Sequence, residues 1–201
     1  MTLYAVVPVK GISAGKSRLA GALDDAGRAA LNARLLDPAL AAAFGLRSVA
    51  NVVVVSPDDA ALARAVAAGA LALRESGAGG LNGALEEARD LALAAGAGAV
   101  LVLPADLPRA GAGALAAFCA AARRGRGMAI APDEAAMGTN ALLLRPADAI
   151  PFRFGPGSFR RHLAEAHDAR LPCRVVRSPA LAFDVDAPED LARLAPSPAG
   201  R

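Results

Sequence analysis

Lysine is nearly missing from this 201-residue chain: of its 22 basic residues only Lys10 and Lys16 are lysines, and both stand close to the amino end. Tryptophan and glutamine are absent, and there is one tyrosine. With arginines scattered and no basic run interleaved with aromatics, the net charge of +3 and pI of about 9.4 do not describe a nucleic-acid surface. Cys119 and Cys173 lack the paired spacing of a metal or redox motif, so a reduced cytoplasmic protein without a disulfide is expected. Long apolar runs are missing too. The longest uncharged stretch, Leu91 to Ala105, is shorter than the ~18 residues of a membrane span and is interrupted by Gly96, Gly98 and Pro104. Lys10 follows the apolar segment Leu3 to Val9 instead of preceding it, the wrong order for a signal peptide.

What is present is the material of one folded core. A hydrophobic share of 55% with low net charge excludes intrinsic disorder, and no repeat or linker divides the chain. One domain over residues 1–195 and a frayed tail over 196–201 are expected. Short β-branched runs (Leu3 to Val9, Asn51 to Ser56, Ala99 to Leu103) alternate with alanine-rich helical segments (Arg28 to Phe44, Asp58 to Ala68, Asn82 to Ala95). That alternation predicts an α/β, Rossmann-like fold: a mostly parallel central sheet with helices on both faces. Asp58 or Asp59 suits the N-cap of the second helix. Beyond Arg126 the pattern predicts strands at Met128 to Ala131, Thr139 to Leu144, Arg174 to Val176 and Ala180 to Phe183, with a helix from Ser158 to about Ala166.

Several polar residues fall where open α/β sheets bind ligands. The first strand runs into Lys10, Gly11, Ile12, Ser13, Ala14, Gly15, Lys16, Ser17 and Arg18, a glycine loop whose amides and cations suit a phosphate. Its two glycines enclose three residues where a P-loop has four. Both lysines lie here in a chain that otherwise uses arginine, which points to a compact ammonium donor for a triphosphate. Asp106 ends the strand Ala99 to Leu103, where it suits a Mg²⁺ ligand or a helix cap. Asp184 and Asp186, two residues apart, share one face of an extended chain; Asp186 with Glu189 also fits a capping box before a helix at Pro188. Gly138, Thr139 and Asn140 form a polar set in a chain whose only other threonine is Thr2. Phe152 to Ser158 is a glycine-rich turn opening a helix, with Arg160 and Arg161 adding positive charge, and Phe152, Phe154 and Ser158 are expected around the pocket. His162 and His167 miss the spacing of a metal pair, so both are expected on a solvated helix face.

Taken in order, Pro8-Val9-Lys10, Lys16-Ser17-Arg18-Leu19, Gly80-Leu81-Asn82, Leu103-Pro104-Ala105-Asp106-Leu107-Pro108, Gly138-Thr139-Asn140, Phe154-Gly155-Pro156-Gly157-Ser158-Phe159 and Asp184-Val185-Asp186-Ala187-Pro188-Glu189-Asp190-Leu191 resemble the 2-phospho-L-lactate guanylyltransferase family of deazaflavin coenzyme (factor 420) biosynthesis. The resemblance spans nearly the whole chain. It implies transfer of GMP from GTP to a phosphorylated three-carbon acid (2-phospho-L-lactate, 3-phospho-D-glycerate or phosphoenolpyruvate) with release of diphosphate. The residues themselves fit this chemistry: Lys10, Gly11, Gly15, Lys16 and Arg18 are expected to face the nucleotide phosphates, and Asp106 and Asp186 to hold Mg²⁺, with Asp184 as alternate or second-metal ligand. By the resemblance, Thr139, Gly155 and Ser158 match the positions that hold the acceptor. Asn82 and Glu75 are assigned to the guanine. Neither nucleic acid nor membrane is an expected partner, and a homodimer is left open. A molybdenum-cofactor-type nucleotidyltransferase, a P-loop-like kinase and a non-catalytic nucleotide-binding regulator are the alternatives.

Overall fold

The computed structural model describes residues 1–10, 19–122 and 125–194. Among the described residues seven strands form one sheet in the order β3-β2-β1-β4-β6-β5-β7: β1 (Leu3–Pro8), β2 (Val49–Ser56), β3 (Leu71–Arg74), β4 (Ala99–Val102), β5 (Gly127–Pro132), β6 (Thr139–Arg145) and β7 (Cys173–Val175). All neighbouring pairs are parallel except those made by β6, which runs antiparallel to β4 and β5. The helices are α1 (Asp25–Phe44), α2 (Asp59–Ala67), α3 (Gly80–Ala94), α4 (Ala112–Ala121), α5 (Ser158–Asp168), α6 (Pro179–Ala182) and α7 (Pro188–Leu194).

The apolar runs of the central strands are continuous because both faces of the sheet are covered. In β1, Leu3, Ala5 and Val7 pack with residues of α1, α2 and α4, such as Leu36, Ala61 and Phe118. Tyr4 and Val6 point the other way, against Leu85 and Ala88 of α3 and Ala166 of α5. A third, smaller cluster joins Leu31 and Leu35 of α1 to Leu19, Phe183 and Val185. That cluster seats the segment carrying Asp184 and Asp186.

Asp58 is the N-cap of α2, its carboxylate accepting from the amides of Ala60 and Ala61. The segment Ala180 to Phe183, expected as a strand, is instead the short helix α6. Pro179 at its first position has φ already set for a helix and no amide to lose, and Ala180, Leu181 and Ala182 are strong helix formers. β3 and α4 were not anticipated: β3 is a short, largely exposed edge strand, and α4 is built mostly of Ala and Gly, which show no apolar period. No helix among the described residues is long and apolar enough to cross a membrane.

Candidate active site

The chain leaves β1 toward β2 and β3, then crosses back to place β4 on the other side of β1. At such a reversal the loops after the two strands part, and a crevice opens at their carboxyl ends. A cavity of about 530 Å³ lies there. Lys10 enters it from the loop after β1 and Asp106 from the loop after β4. Because β6 runs antiparallel, its first residues Thr139 and Asn140 reach the same edge, joined by Gly155 and Ser158 at the start of α5 and by Asp184 and Asp186 before α7. Residues far apart in sequence thus meet in one cavity. Gly11, Gly15, Lys16 and Arg18 lie outside the described residues.

The two carboxylate-bearing segments are joined by the main chain: the Val185 amide donates to the Asp106 carbonyl oxygen at 3.1 Å. Val185 is fully buried, and burying such a side chain contributes about 1.5–3 kcal/mol, so the aspartates on either side of it are turned together to the cavity. The shared face expected of Asp184 and Asp186 is therefore present, although the segment is an extended connection and not a strand. Phe183, the preceding residue, is held between two guanidinium groups, Arg109 at 4.1 Å and Arg193 at 4.2 Å from its ring centroid. Arg193 also pairs with Glu134 in the β5–β6 turn, and Arg109 donates to the Arg193 carbonyl. The clamp ties the β4 loop, the β5–β6 turn and α7 around the aspartates.

The carboxylate that accepts from the turn before α7 is Asp190, which receives the amides of Asp186 and Ala187 at 3.0 and 2.9 Å. Glu189 does not take that role. With Ala187 just ahead of the helix, Asp190 occupies the third helical position from which a carboxylate reaches back. Asp184 is raised from 3.8 to about 6, by burial first and then by the negative charges of Asp106 and Asp186, against a hydrogen bond from the Asn140 side chain. Asn140 also donates to the Ala182 carbonyl at 3.1 Å, fixing α6 to β6.

On the opposite wall, Asp133 organises the turn that delivers Thr139. Its two carboxylate oxygens accept from the amides of Met137 and Gly138, both at 2.8 Å. A Cβ on Gly138 would stand 2.7 Å from that carboxylate, so a larger residue there would have to displace Asp133 from the two amides it accepts. Asp133 lines the cavity and was not foreseen; its only sequence signal is a carboxylate five residues ahead of Gly138-Thr139. Gly155 and Gly157 adopt φ of 109° and 70°, turning the chain into α5. The amides of Ser158 and Phe159 already donate to the carbonyls of Gly155 and Met137, so the lining donors of this corner are the hydroxyls of Thr139 and Ser158.

Two expectations, for Phe152 and His162, are corrected, and Asn82 and Glu75 are found outside the lining formed by the described residues. Asn82 does not line the cavity: its amide group donates to the Phe154 carbonyl at 3.1 Å and its oxygen accepts from the Phe154 amide at 2.7 Å. It ties α3 to the glycine-rich turn, and Glu75 does not line the cavity either. Phe154 and Ser158 do line it, whereas Phe152 is buried in the core under Arg89. His162 is fully buried, not solvated. It falls on the inner face of α5 with Ser158, Phe159 and Ala166, while His167, five residues on, faces outward.

The donor set favours a hard cation. Four carboxylates, Asp106, Asp133, Asp184 and Asp186, line the cavity, and among the described lining residues there is no His or Cys; Asp133 is engaged by the amides of Met137 and Gly138, which leaves the other three for a cation. Among the described residues no three His, Cys, Asp or Glu side chains already stand in metal-holding geometry. Mg²⁺ needs only one or two carboxylates when phosphates and water complete its shell.

A family model described as "Guanylyl transferase CofC like" matches residues 3–196. A phosphoenolpyruvate guanylyltransferase from Rubrobacter xylanophilus is 52% identical over 96% of this chain and 94% of its own. Another from Sphaerobacter thermophilus is 48% identical over 97% and 93%. Relatives named for 2-phospho-L-lactate and 3-phospho-D-glycerate, from Methanothermobacter thermautotrophicus and Phenylobacterium zucineum, are 36% and 38% identical over 96% and 98% of this chain and 84% and 91% of their own. Among solved structures, a nucleotidyl transferase from Methanothermobacter superposes with a TM-score of 0.66 over 96% of this chain and 95% of that one, at 16% identity, a likeness of fold.

Proposed function

Given that this chain belongs to the CofC-like guanylyl transferase family, we propose that it transfers GMP from GTP to phosphoenolpyruvate, releasing diphosphate, as a step toward the deazaflavin coenzyme factor 420 or a derivative. The observation that carries the reading is the meeting, in one switch-point cavity, of Lys10 and the carboxylates of Asp106, Asp184 and Asp186 with a separate corner bearing the hydroxyls of Thr139 and Ser158. With a cation on the carboxylates, such a cavity would suit a nucleotide phosphate on one side and a second anion at the hydroxyls. The choice of acceptor rests on the names of the relatives with 52% and 48% identity.

The acceptor phosphate is already an anionic nucleophile, so the reaction needs no general base, and the protein's work is alignment and charge stabilisation. Thr139, Gly155 and Ser158 hold the acceptor. Lys10 lies beside the α-phosphate, while Gly11, Gly15, Lys16 and Arg18 follow the β- and γ-phosphates. Asp106 and Asp186 would hold Mg²⁺, with Asp184 as alternate ligand, and an ion held there would supply charge neutralisation for the nucleotide phosphates.

A P-loop kinase is disfavoured by the glycine spacing, three residues between Gly11 and Gly15 where a P-loop has four. The test is diphosphate release with GTP, ATP and CTP crossed against phosphoenolpyruvate, 2-phospho-L-lactate and 3-phospho-D-glycerate. GTP with phosphoenolpyruvate is expected to be fastest. Preference for another acceptor would replace phosphoenolpyruvate; preference for CTP would remove the guanine assignment; no release in any combination would defeat the transferase reading.

A further inference from the structure

We propose that His162 is a positioning residue: its ring, held in the Nδ1–H form by the Arg153 amide, turns the hydroxyl hydrogen of Thr139 into the cavity toward the anionic acceptor. This rests on the guanylyltransferase reading above. The geometry constrains every hydrogen along the path. The Arg153 backbone N–H donates to His162 Nε2 at 2.9 Å, so that nitrogen carries a lone pair and no hydrogen. In a neutral ring the hydrogen is then on Nδ1, which faces Thr139 Oγ1 at 3.1 Å.

Thr139 Oγ1 therefore receives a hydrogen from the ring and has one of its own to give. Among the described residues His162 is the hydroxyl's recorded partner, and Thr139 lines the cavity. An anion there is the acceptor the hydroxyl lacks. Full burial, with Arg161 and Arg153 nearby, lowers His162 to about 4, consistent with a ring that stays neutral when the enzyme works. The ring orientation is fixed from its face as well, by the Phe154 ring edge-on at 4.9 Å between centroids. Asn82 anchors the Phe154 backbone in turn. The series from Asn82 through Phe154 and His162 to Thr139 thus joins α3, the glycine-rich turn, α5 and β6.

The first test needs no substrate. Imidazole nitrogen correlation spectra of the full-length protein at neutral pH are expected to show His162 neutral with its hydrogen on Nδ1; an Nε2–H form or an imidazolium would overturn the proposal. The second test is steady-state kinetics of Thr139→Val, His162→Phe, His162→Asn and the double variant Thr139→Val/His162→Phe. Loss of a hydrogen bond to a charged ligand predicts an acceptor KM about 10- to 100-fold higher for Thr139→Val and for His162→Phe, with the GTP KM unchanged. His162→Asn, which keeps an N–H donor near the position of Nδ1, is expected to recover most of the loss. The double variant is expected to be no worse than Thr139→Val alone. Additive losses, or equal rises in both KM values, would overturn the proposal. Should His162→Phe not fold, the spectrum of Thr139→Val takes its place, and an Nδ1 resonance left unshifted by that change refutes the contact. Wild-type protein that releases no diphosphate defeats the functional reading instead, and the imidazole spectrum still tests the hydrogen assignment.

Discussion

On the β3-β2-β1-β4 side of the sheet, ligand-facing groups sit on loops that leave parallel strands, and the main chain sets their spacing. The bond from the Val185 amide to the Asp106 carbonyl brings a distant segment against the β4 loop. On the β6-β5-β7 side, the groups are braced by side chains, the half-buried Asp133 on the turn before Thr139, the buried His162 on Thr139 and the half-buried Asn82 on the glycine-rich turn. The antiparallel β6 makes the difference. It brings the beginning of a strand, not its end, to the binding edge, so Thr139 and Asn140 arrive from a tight turn that needs side-chain bracing. One half of the site should therefore tolerate loss of a carboxylate without losing shape, while the other should lose shape with small changes.

The largest effect is expected on the carboxylate half. Asp106→Asn should lower kcat/KM by roughly 100-fold or more, the scale of a lost metal contact. The melting temperature should stay near wild type, because the Asp106 carbonyl that holds Val185 is unaltered. Activity near wild type would remove Asp106 from the mechanism. On the bracing half, Gly138→Ala forces a methyl group to 2.7 Å from the Asp133 carboxylate. Thermal melts should show a loss of about 1–3 kcal/mol, and the acceptor KM should rise several-fold while that for GTP does not. Equal rises for both substrates would show that the halves are not separable.

The smallest effect concerns charge in the carboxylate half without metal. Folding raises Asp184 from 3.8 to about 6, so the unfolded chain ionises it more readily. Its contribution to stability is full below the unfolded value and is lost as pH rises through about 6. In chelator, Asp184→Asn should therefore stabilise the protein at pH 8 by about 1–2 kcal/mol, and the gain should fade on acidification toward 3.8. A variant less stable than wild type at pH 8 would show that the hydrogen bonds of Asp184 outweigh its repulsion.

These contrasts also account for what the sequence disclosed. The parallel half is legible because covered strands read as continuous apolar runs and their ends mark the binding edge; Asp106 follows from that alone. Asp184 and Asp186 are legible as a pair because alternation holds in any extended chain, even where Pro179 turns the preceding residues into α6. The bracing half is hardly legible, since it depends on contacts between residues far apart. Nothing local marks Asn82 as the partner of the Phe154 backbone, 72 positions away. The two histidines read alike until the phase of α5 against the core is known. Glu189 and Asp190 are adjacent carboxylates, and only the starting point of α7 selects Asp190.

The bond between Val185 and Asp106 has a consequence for how this site can vary across descendants of one ancestor. A bond between two peptide groups is indifferent to which side chains flank it. Substitution can therefore rewrite much of the surroundings and leave the carboxylates at the same separation, whereas gaining or losing a single residue between Phe183 and Asp186 would shift the register of all of them at once.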